Sequence, residues 1–436
     1  MTKSRKQFWN FFDSLEGDKV VWIIALMLIM ISIVCLFSST SRLLTGNLTR
    51  LDIVKGQALM ACLGLAVIIV CYNVKDIKAF RWCSQWGFAL SLALLLLLVS
   101  QIDTPFIKSV EINGARRILQ VSGFQIHVYE VVKVAMVLYM AWAIDAIRNG
   151  SLKWPAGKKL QKYIYLYAPF VTIILMVIPG SNSAALFIGF IMFTVILLGG
   201  GNFKDMALLA LVAVAIVSCC VGIYTISDGK YMQRIGTAVS RITEDTDWEQ
   251  IVRDSQKGSK EYYEALDEIR QPYSARIAVH EGGLIGKGPG QSTQRYVVPD
   301  MSEDYMFSFI IEEYGLFGGI VIIFLYVSLL ARGALIVRNC GSDLYAKLTV
   351  GGLCLLISGQ AFLHMFVNAD IGPMTGQTLP IISHGNSAFL CFCLAFGIIL
   401  SISRMANKRM EIIQKDARPL AEDHDVVKDL DILEEI

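Results

Sequence analysis

Residues His280 to Gly319 read HEGGLIGKGPGQSTQRYVVPDMSEDYMFSFIIEEYGLFGG, and this stretch sets the fold class of the whole chain. A polar loop rich in glycine leads directly into an apolar run that has the length of a membrane helix. Three carboxylates lie in or beside that run, namely Asp304, Glu312 and Glu313. Carboxylates at the mouth of a membrane helix, next to a flexible loop, indicate chemistry at a membrane surface.

The composition predicts a polytopic, all-α membrane protein. Of the 436 residues, 55% are hydrophobic and 17% are charged, and the mean hydropathy is +0.54. Soluble globular proteins usually carry about a quarter charged residues. Because a backbone in lipid must satisfy its own hydrogen bonds, the long apolar runs predict helices. The net charge of +2 carries no information about partners, and no nucleic acid is expected among them.

Hydropathy predicts ten transmembrane spans. They cover residues 20–38, 54–73, 82–100, 127–146, 162–179, 182–199, 204–226, 305–331, 344–368 and 386–403. Lysine and arginine are concentrated in alternate loops, which by the positive-inside rule puts both termini in the cytoplasm.

The parts of the chain outside the spans differ in character. Residues 1–19 are basic and then aromatic, which predicts a cytoplasmic segment with a short interfacial helix. A large extracytoplasmic loop follows spans one to seven (20–226) and covers 227–304, with a charged middle that predicts solvated helix. After spans eight to ten (305–403), the cytoplasmic tail 404–436 is acidic beyond Arg418 and predicts disorder.

Two other patterns limit the possible functions. The ten cysteines lie almost entirely in apolar runs, where a thiol behaves as a small hydrophobe, so no disulfide framework is expected. The chain shows no internal repeat, and the inverted-repeat signature of many transporters is therefore missing.

Ionisable residues inside spans are costly and indicate function. Glu130 and Lys133 in span four are three residues apart and share one helix face. They predict either a self-contained ion pair that fixes helix packing or the charged wall of a cavity in which lysine faces an anionic phosphate.

Asp304, Ser308 and Glu312 are spaced to share one face of span eight. Asp304 would lie at the outer mouth, with Glu312 deeper in the same helix. A structural interpretation of Asp304 is an N-cap, for which aspartate is a preferred residue. Capping and catalysis do not exclude each other.

Three further motifs have open alternatives. Arg116 and Arg117 can bind phosphate in a bidentate manner or anchor the chain among lipid headgroups. The glycine run Gly282–Gly290 can form a backbone nest for an anion or a series of flexible turns, but it lacks the P-loop spacing. His364 and His384 are weak evidence for a metal site, and no metal ligands are assigned.

Four sequence blocks, together with ten spans and a long loop, resemble the SEDS family of bacterial cell-wall synthesis proteins (FtsW and RodA). The blocks keep the family's order and are Asn113–Arg117 with Glu130 and Lys133, Gly282–Gly290, Pro299–Gly315 and Pro373–Ser387. The acidic tail and the variant Thr375-Gly376-Gln377 resemble the FtsW, division-type branch.

The resemblance implies a peptidoglycan glycosyltransferase that polymerises lipid II at the outer face of the cytoplasmic (inner) membrane of a bacterium. It implies undecaprenyl pyrophosphate as the released lipid, and a class B penicillin-binding transpeptidase and other divisome proteins as partners. The family's essential aspartate corresponds to Asp304. Its glutamate pair corresponds to Glu312 and Glu313, which are expected to be structural. The candidate substrate-binding residues are Arg116, Arg117, Glu130, Lys133, Lys287 and Ser383.

The sequence departs from the family pattern at four places. A tryptophan is replaced by Ile118, and a Gln-Pro-Ser triplet reads His127-Val128-Tyr129. A Pro-Asp pair reads Pro179-Gly180 and so lacks its acid, and Ser-Tyr-Gly-Gly-Ser reads Ser383-His384-Gly385-Asn386-Ser387. These differences concern substrate contacts, whereas Asp304, Lys133 and Glu130 are retained.

The expected reaction is an inverting glycosyl transfer. Asp304 would act as general base on the 4-hydroxyl of the acceptor sugar. Arg116, Arg117 and Lys133 would balance the charge of the pyrophosphate leaving group. A divalent cation such as Mg²⁺ or Mn²⁺ could share that work, but the sequence shows no dedicated cage for one.

Two alternatives stay open at the level of sequence. A transporter that flips the same lipid would use a similar charged cavity. A non-enzymatic scaffold for a cell-wall synthase complex would instead use the tail and the faces of the spans to recruit partners.

Overall fold

The computed structural model is predominantly helical. It describes residues 16–39, 50–100, 104, 107–112, 115–121, 124–226, 248–257, 259–298, 301–372 and 375–434. The interfacial helix predicted within residues 1–19 falls mainly before residue 16 and so lies outside the described residues.

Among the described residues, ten helices correspond to the ten predicted spans. They are α1 (Lys19–Ser39), α2 (Arg50–Tyr72), α3 (Ile77–Val99), α4 (Val128–Asn149), α5 (Lys158–Val177, with a π-helical turn at Tyr163–Tyr167), α6 (Asn182–Leu198), α7 (Phe203–Ile226), α10 (Met306–Asn339), α11 (Leu344–Asn368) and α12 (Asn386–Glu434). Eight of them are long and apolar enough to cross a membrane. The other two are α4, which carries several charges, and α6, which has 17 residues. The all-α polytopic prediction is confirmed.

The predicted break between spans five and six is also present. The helix α5 ends at Val177 and α6 begins at Asn182, so Pro179 and Gly180 lie in a short turn. Ser181 caps α6, because its side-chain oxygen accepts a hydrogen bond from the amide of Ala184 at 3.3 Å.

The segments outside the spans confirm one prediction and correct another. Two helices, α8 (Trp248–Asp254) and α9 (Lys260–Gly282), form in the charged part of the large loop, as predicted. The tail was predicted to be disordered, but α12 continues through it to Glu434. Residues that extend an existing helix need no new nucleus, which favours continuation of α12 into the tail.

The loop before α4 forms a small sheet that the hydropathy analysis missed. Strands β1 (Ile107–Ile112), β2 (Ala115–Val121) and β3 (Phe124–His127) pair antiparallel in chain order. The signal in the sequence is Asn113-Gly114 between two segments that alternate in polarity, a strong hairpin pattern. Because β3 leads directly into α4, the sheet positions the start of that helix.

The helix α4 lies at the centre of the bundle. It packs against α3, α6, α11 and α12, and most of its side chains are buried. Lys133 and Asp145 are buried among the helices rather than exposed to lipid, which is the arrangement expected for ionisable groups at membrane depth.

The glycine run after α9 packs main chain to main chain against α10. The amides of Lys287 and Gly288 donate to the carbonyl oxygens of Glu312 and Glu313 at 2.9 and 3.0 Å. Opposite them, α10 is kinked at Gly315, which has φ +70° and ψ −175°. Because these amides bind carbonyl groups of α10, the run is a backbone clasp and not the anion nest that was one of its two interpretations.

Replacing Gly315 by alanine should destabilise the protein by about 1–3 kcal/mol, since its backbone conformation is open essentially to glycine alone. A Cβ atom there would also lie 2.3 Å from the carbonyl oxygen of Leu284. Thermal unfolding in detergent measures the effect. Gly222→Ala in α7 is the control, because a Cβ at Gly222 meets nothing within 4 Å. Equal unfolding temperatures for the two variants would contradict the clasp.

Candidate active site

Asp304 lies in the turn that precedes α10, which begins at Met306. The prediction that Asp304, Ser308 and Glu312 share a helix face is therefore wrong, because the four-residue spacing applies only within helical backbone. The N-cap position is occupied by Tyr305, so Asp304 is not the N-cap either.

Side chains of α11 hold the start of α10 in place of a local cap. The Asn368 amide donates to the carbonyl oxygen of Asp304 at 3.0 Å and accepts from the Ser308 amide at 2.9 Å. The amide of Phe307 donates to Nε2 of His364 at 3.3 Å. Nδ1 of His364 lies 2.7 Å from the carbonyl oxygen of Gln377, so the Nδ1–H tautomer satisfies both contacts.

The segment before α12 holds the same turn from the other side. The Ser383 hydroxyl donates to the carbonyl oxygen of Glu303 at 2.7 Å and accepts from the amide of Leu379 at 2.9 Å. The amide of His384 donates to the carbonyl oxygen of Ser302 at 2.8 Å. Ser383 is predicted to contact the substrate, but its hydroxyl group makes these two hydrogen bonds within the protein. Through them it positions Glu303, the residue before Asp304.

Asp304 and Arg117 both approach Gly376. Gly376 has no side chain, but a Cβ atom built there would lie 3.8 Å from Oδ2 of Asp304 and 3.9 Å from Nη1 of Arg117. The carboxylate and the guanidinium are therefore both close to Gly376. The guanidinium is oriented by Gly180, whose carbonyl oxygen accepts from Nε of Arg117 at 3.1 Å.

Arg116 has other partners than Arg117. Its Nη1 donates to Oγ of Ser109 at 2.8 Å, and its Nε lies 3.7 Å from the carboxylate of Glu111. The two arginines, predicted to bind phosphate together, therefore have different surroundings: Arg117 lies near Gly376, as Asp304 does, and Arg116 lies near Ser109 and Glu111.

The missing acid at Gly180 has a structural explanation. A Cβ atom at this position would lie 1.7 Å from the hydroxyl oxygen of Tyr129, so a side chain there would require Tyr129 to move. Tyr129 stands where the family has serine, and its hydroxyl donates to the carbonyl oxygen of Arg116 at 3.3 Å. Tyr129 and Gly180 both depart from the family pattern, and they are in contact with each other. Arg117 donates to the main-chain oxygen of Gly180.

Lys133 is buried and fully engaged within the protein. Its ammonium group donates at 2.7 Å to each of three side-chain oxygens, those of Glu130, Gln360 and Gln377. An ammonium group has three N–H donors, so all of them are used. Lys133 therefore joins α4, α11 and the segment that carries Gly376, which favours the structural interpretation of the pair over direct phosphate binding.

Lys287, Glu312 and Glu313 form a separate cluster at the glycine run. The buried carboxylate of Glu312 accepts from Nζ of Lys287 and from the amide of Thr293, both at 2.8 Å. Glu313 accepts from the Ser38 hydroxyl at 2.6 Å. Burial acts to lower the pKa of Lys287, but hydrogen bonds to Glu281 and Glu312 outweigh it, and the pKa is raised. The contacts agree with structural roles for both glutamates and give Lys287 the same role.

Three polar residues of α11 were not predicted to belong to the site. Gln360, His364 and Asn368 are four residues apart and at most 2% exposed. Their spacing puts them on one helix face, and polar residues within an otherwise apolar span are the signal that could have identified them. From the sequence, His364 is only weak evidence for a metal site. In the described part of the chain, no group of three or more His, Cys, Asp or Glu residues gathers to hold a metal ion.

One further titratable residue lies beside the site. Burial lowers the pKa of His127, at the end of β3, although the charges of Glu130 and Glu303 oppose that change. The neutral imidazole is therefore favoured at this position.

The geometry combines an acceptor of protons with a fixed positive charge. A carboxylate held by main-chain contacts can take a proton from a hydroxyl group. A guanidinium beside it can stabilise a departing anionic phosphate.

Comparison with known proteins identifies relatives along most of the chain. Residues 18–408 match the family described as "Cell cycle protein", that of FtsW, RodA and SpoVE. A probable peptidoglycan glycosyltransferase FtsW of Coxiella burnetii is 28% identical over 346 residues, which covers 78% of this chain and 83% of that protein. Stage V sporulation protein E of Bacillus subtilis is 26% identical over 392 residues, which covers 89% and 98%.

Solved structures share the fold. One is a chain of a peptidoglycan synthase complex, with a TM-score of 0.62 at 19% identity and coverage of 89% of this chain and 98% of that chain. Another is the rod shape determining protein RodA of Thermus thermophilus, with a TM-score of 0.55 at 19% identity and coverage of 90% and 98%. With its family match over residues 18–408, this chain belongs to the FtsW, RodA and SpoVE family of bacterial membrane proteins.

Proposed function

We propose that this protein is a peptidoglycan glycosyltransferase that polymerises lipid II into glycan strands during cell division. The observation that carries the proposal is that the carboxylate of Asp304 and the guanidinium of Arg117 both lie within 4 Å of the position that a Cβ atom would take at Gly376. Relatives named as probable peptidoglycan glycosyltransferases support it.

In the proposed reaction, Asp304 takes the proton from the 4-hydroxyl of the acceptor sugar. The hydroxyl oxygen attacks the anomeric carbon of the donor from the side opposite to the pyrophosphate, so the configuration inverts. The bond between that carbon and the pyrophosphate oxygen breaks, and its electron pair leaves with undecaprenyl pyrophosphate. Arg117 stabilises the developing negative charge, because a preorganised cation costs no reorganisation during the reaction.

The proposed site faces the outside of the cytoplasmic membrane, with both termini in the cytoplasm. The opposite end of the bundle carries Lys75, Arg404, Lys408 and Arg409, which agrees with the positive-inside rule. The similar fold of a chain in a peptidoglycan synthase complex, described as coordinating polymerization and crosslinking, supports a class B transpeptidase as partner. Other divisome proteins would join the same assembly.

The direct test is polymerisation of lipid II by the purified full-length protein, with and without the cognate class B transpeptidase. We expect glycan strands in at least the reconstituted pair. Liposomes that contain fluorescent lipid II test the transporter alternative in parallel. Flipping without polymer formation in either preparation would reject the proposal in favour of that alternative.

The two arginines should differ sharply in their contribution. Arg117→Gln should lower kcat by about 10²–10³-fold, the usual cost of removing one donor that stabilises a developing anion. Arg116→Gln is the matched control and should stay close to wild type, because that side chain binds Ser109 and Glu111. Initial rates of lipid II polymerisation measure both. Equal losses would argue against Arg117 as the cation of the site.

A further inference from the structure

A cleft of about 620 Å³ opens at the end of the bundle opposite to Asp304. It lies between the α2–α3 connection and residues 405–412 of α12. Because α12 begins near the Asp304 turn and rises 1.5 Å per residue, the cleft is about 30 Å from that turn. None of the residues of the candidate active site lines it. We call it the basic cleft.

Three cations line the basic cleft, namely Lys75, Lys408 and Arg409. The Lys75 side chain makes no hydrogen bond with any residue that the structure describes. Arg409 donates from Nη2 to Oγ of Ser342 at 3.2 Å, which uses one of its five N–H donors. A planar guanidinium beside an ammonium group suits a phosphate, which can accept from both.

The acids nearby compensate this charge only in part. Asp76 also lines the cleft, but its carboxylate accepts from the amide of Lys78 at 2.8 Å and caps α3. Glu16 pairs with Lys408 at 2.7 Å, and both side chains are more than half exposed. The fourth cation of this region, Arg404, donates to the carbonyl oxygen of Val74 at 2.9 Å. Four cations thus face two carboxylates, and the region is net positive.

Glu16 responds to this positive field. Its pKa is lowered chiefly by the hydrogen bond from Lys408, and the charges of Lys408, Arg404 and Lys75 add to the effect. The positive charges around Glu16 therefore favour an anion at this position.

The rest of the basic cleft is apolar. Ile77, Met405 and Ile412 line it beside the cations, and Ile412 is 60% exposed. A free anion would use the charges alone and gain nothing from this apolar wall. A phospholipid matches both the cations and the apolar wall, because its phosphate is adjacent to its acyl chains. Basic pockets between membrane helices are known to bind acidic lipid headgroups.

We propose that the basic cleft binds an anionic phospholipid of the surrounding membrane, with the phosphate on the three cations and the acyl chains on the apolar wall. The proposal is independent of the glycosyltransferase assignment, because it concerns the other end of the bundle. A bound lipid would link the α2–α3 connection to α12, the helix whose N-terminus adjoins the Asp304 turn.

The test compares binding of phosphatidylglycerol and phosphatidylcholine to the full-length protein by native mass spectrometry of detergent-solubilised samples. Each cation near the surface contributes about fivefold to binding of an acidic lipid, so the triple variant Lys75→Gln, Lys408→Gln, Arg409→Gln should bind phosphatidylglycerol about 100-fold more weakly. The matched control Lys153→Gln, Lys158→Gln, Lys159→Gln removes equal charge from exposed residues outside the cleft. It should bind like wild type.

A second variant keeps the test decisive if the triple variant does not fold. Glu16→Gln removes the carboxylate that pairs with Lys408. Because Lys408 is then free to pair with the lipid phosphate, this variant should bind phosphatidylglycerol several-fold more tightly than wild type. Competition with inorganic phosphate separates a lipid site from a site for free anions, and we expect little displacement. The proposal is overturned if both triple variants lose binding equally, if Glu16→Gln leaves binding unchanged, or if inorganic phosphate displaces the lipid.

Discussion

Asp304→Asn is expected to slow polymerisation of lipid II by about 10²–10⁴-fold, the range that a general base contributes. The amide keeps the size of the side chain but accepts no proton at neutral pH. The hydrogen bond between Asn368 and the carbonyl oxygen of Asp304 uses the main chain, so it survives the substitution. The turn should therefore stay anchored to α11 in the variant, and the loss should lie in kcat.

Glu303→Gln is the matched control for this experiment. Glu303 is the neighbouring acid, its side chain is 46% exposed, and its main-chain oxygen rather than its carboxylate binds Ser383. It should retain most of the activity. Polymer of normal length and rate from Asp304→Asn would exclude Asp304 as the base, and retained flipping with lost polymerisation would separate the two activities.

Lys133→Met is expected to destabilise the protein by about 3–5 kcal/mol, the usual result of removing one partner of a buried ion pair. The methionine would leave the Glu130 carboxylate and the oxygens of Gln360 and Gln377 without their shared donor. Thermal unfolding in detergent should show a large decrease in midpoint, and polymerisation should fall because Gln377 adjoins Gly376.

The double variant Glu130→Gln, Lys133→Met tests whether Lys133 acts through structure. Neutralising both partners removes the uncompensated charge, so much of the lost stability should return. A lysine that served only as a ligand for phosphate would behave differently. In that case Lys133→Met would be as stable as wild type, and the second substitution would change nothing.

The helices and their order follow from local sequence. A backbone in lipid has few options, so an apolar run of sufficient length predicts a helix at nearly the right bounds. The split between α5 and α6 was visible because Pro179-Gly180 interrupts the apolar pattern. The sheet of β1 to β3 was equally local, but its Asn113-Gly114 signal lay in a loop between hydropathy peaks.

The sequence alone also determined that Asp304 lies at the mouth of a span, and its motifs indicated the family. Only the tertiary structure decided which charged groups act together. Lys133 meets oxygens 227 and 244 positions away along the chain, on Gln360 and Gln377. Arg117 approaches Gly376 together with Asp304, whereas Arg116 binds Ser109 and Glu111 on β1. Such pairings depend on how distant helices pack, and periodicity within one segment carries no information about the partner on another.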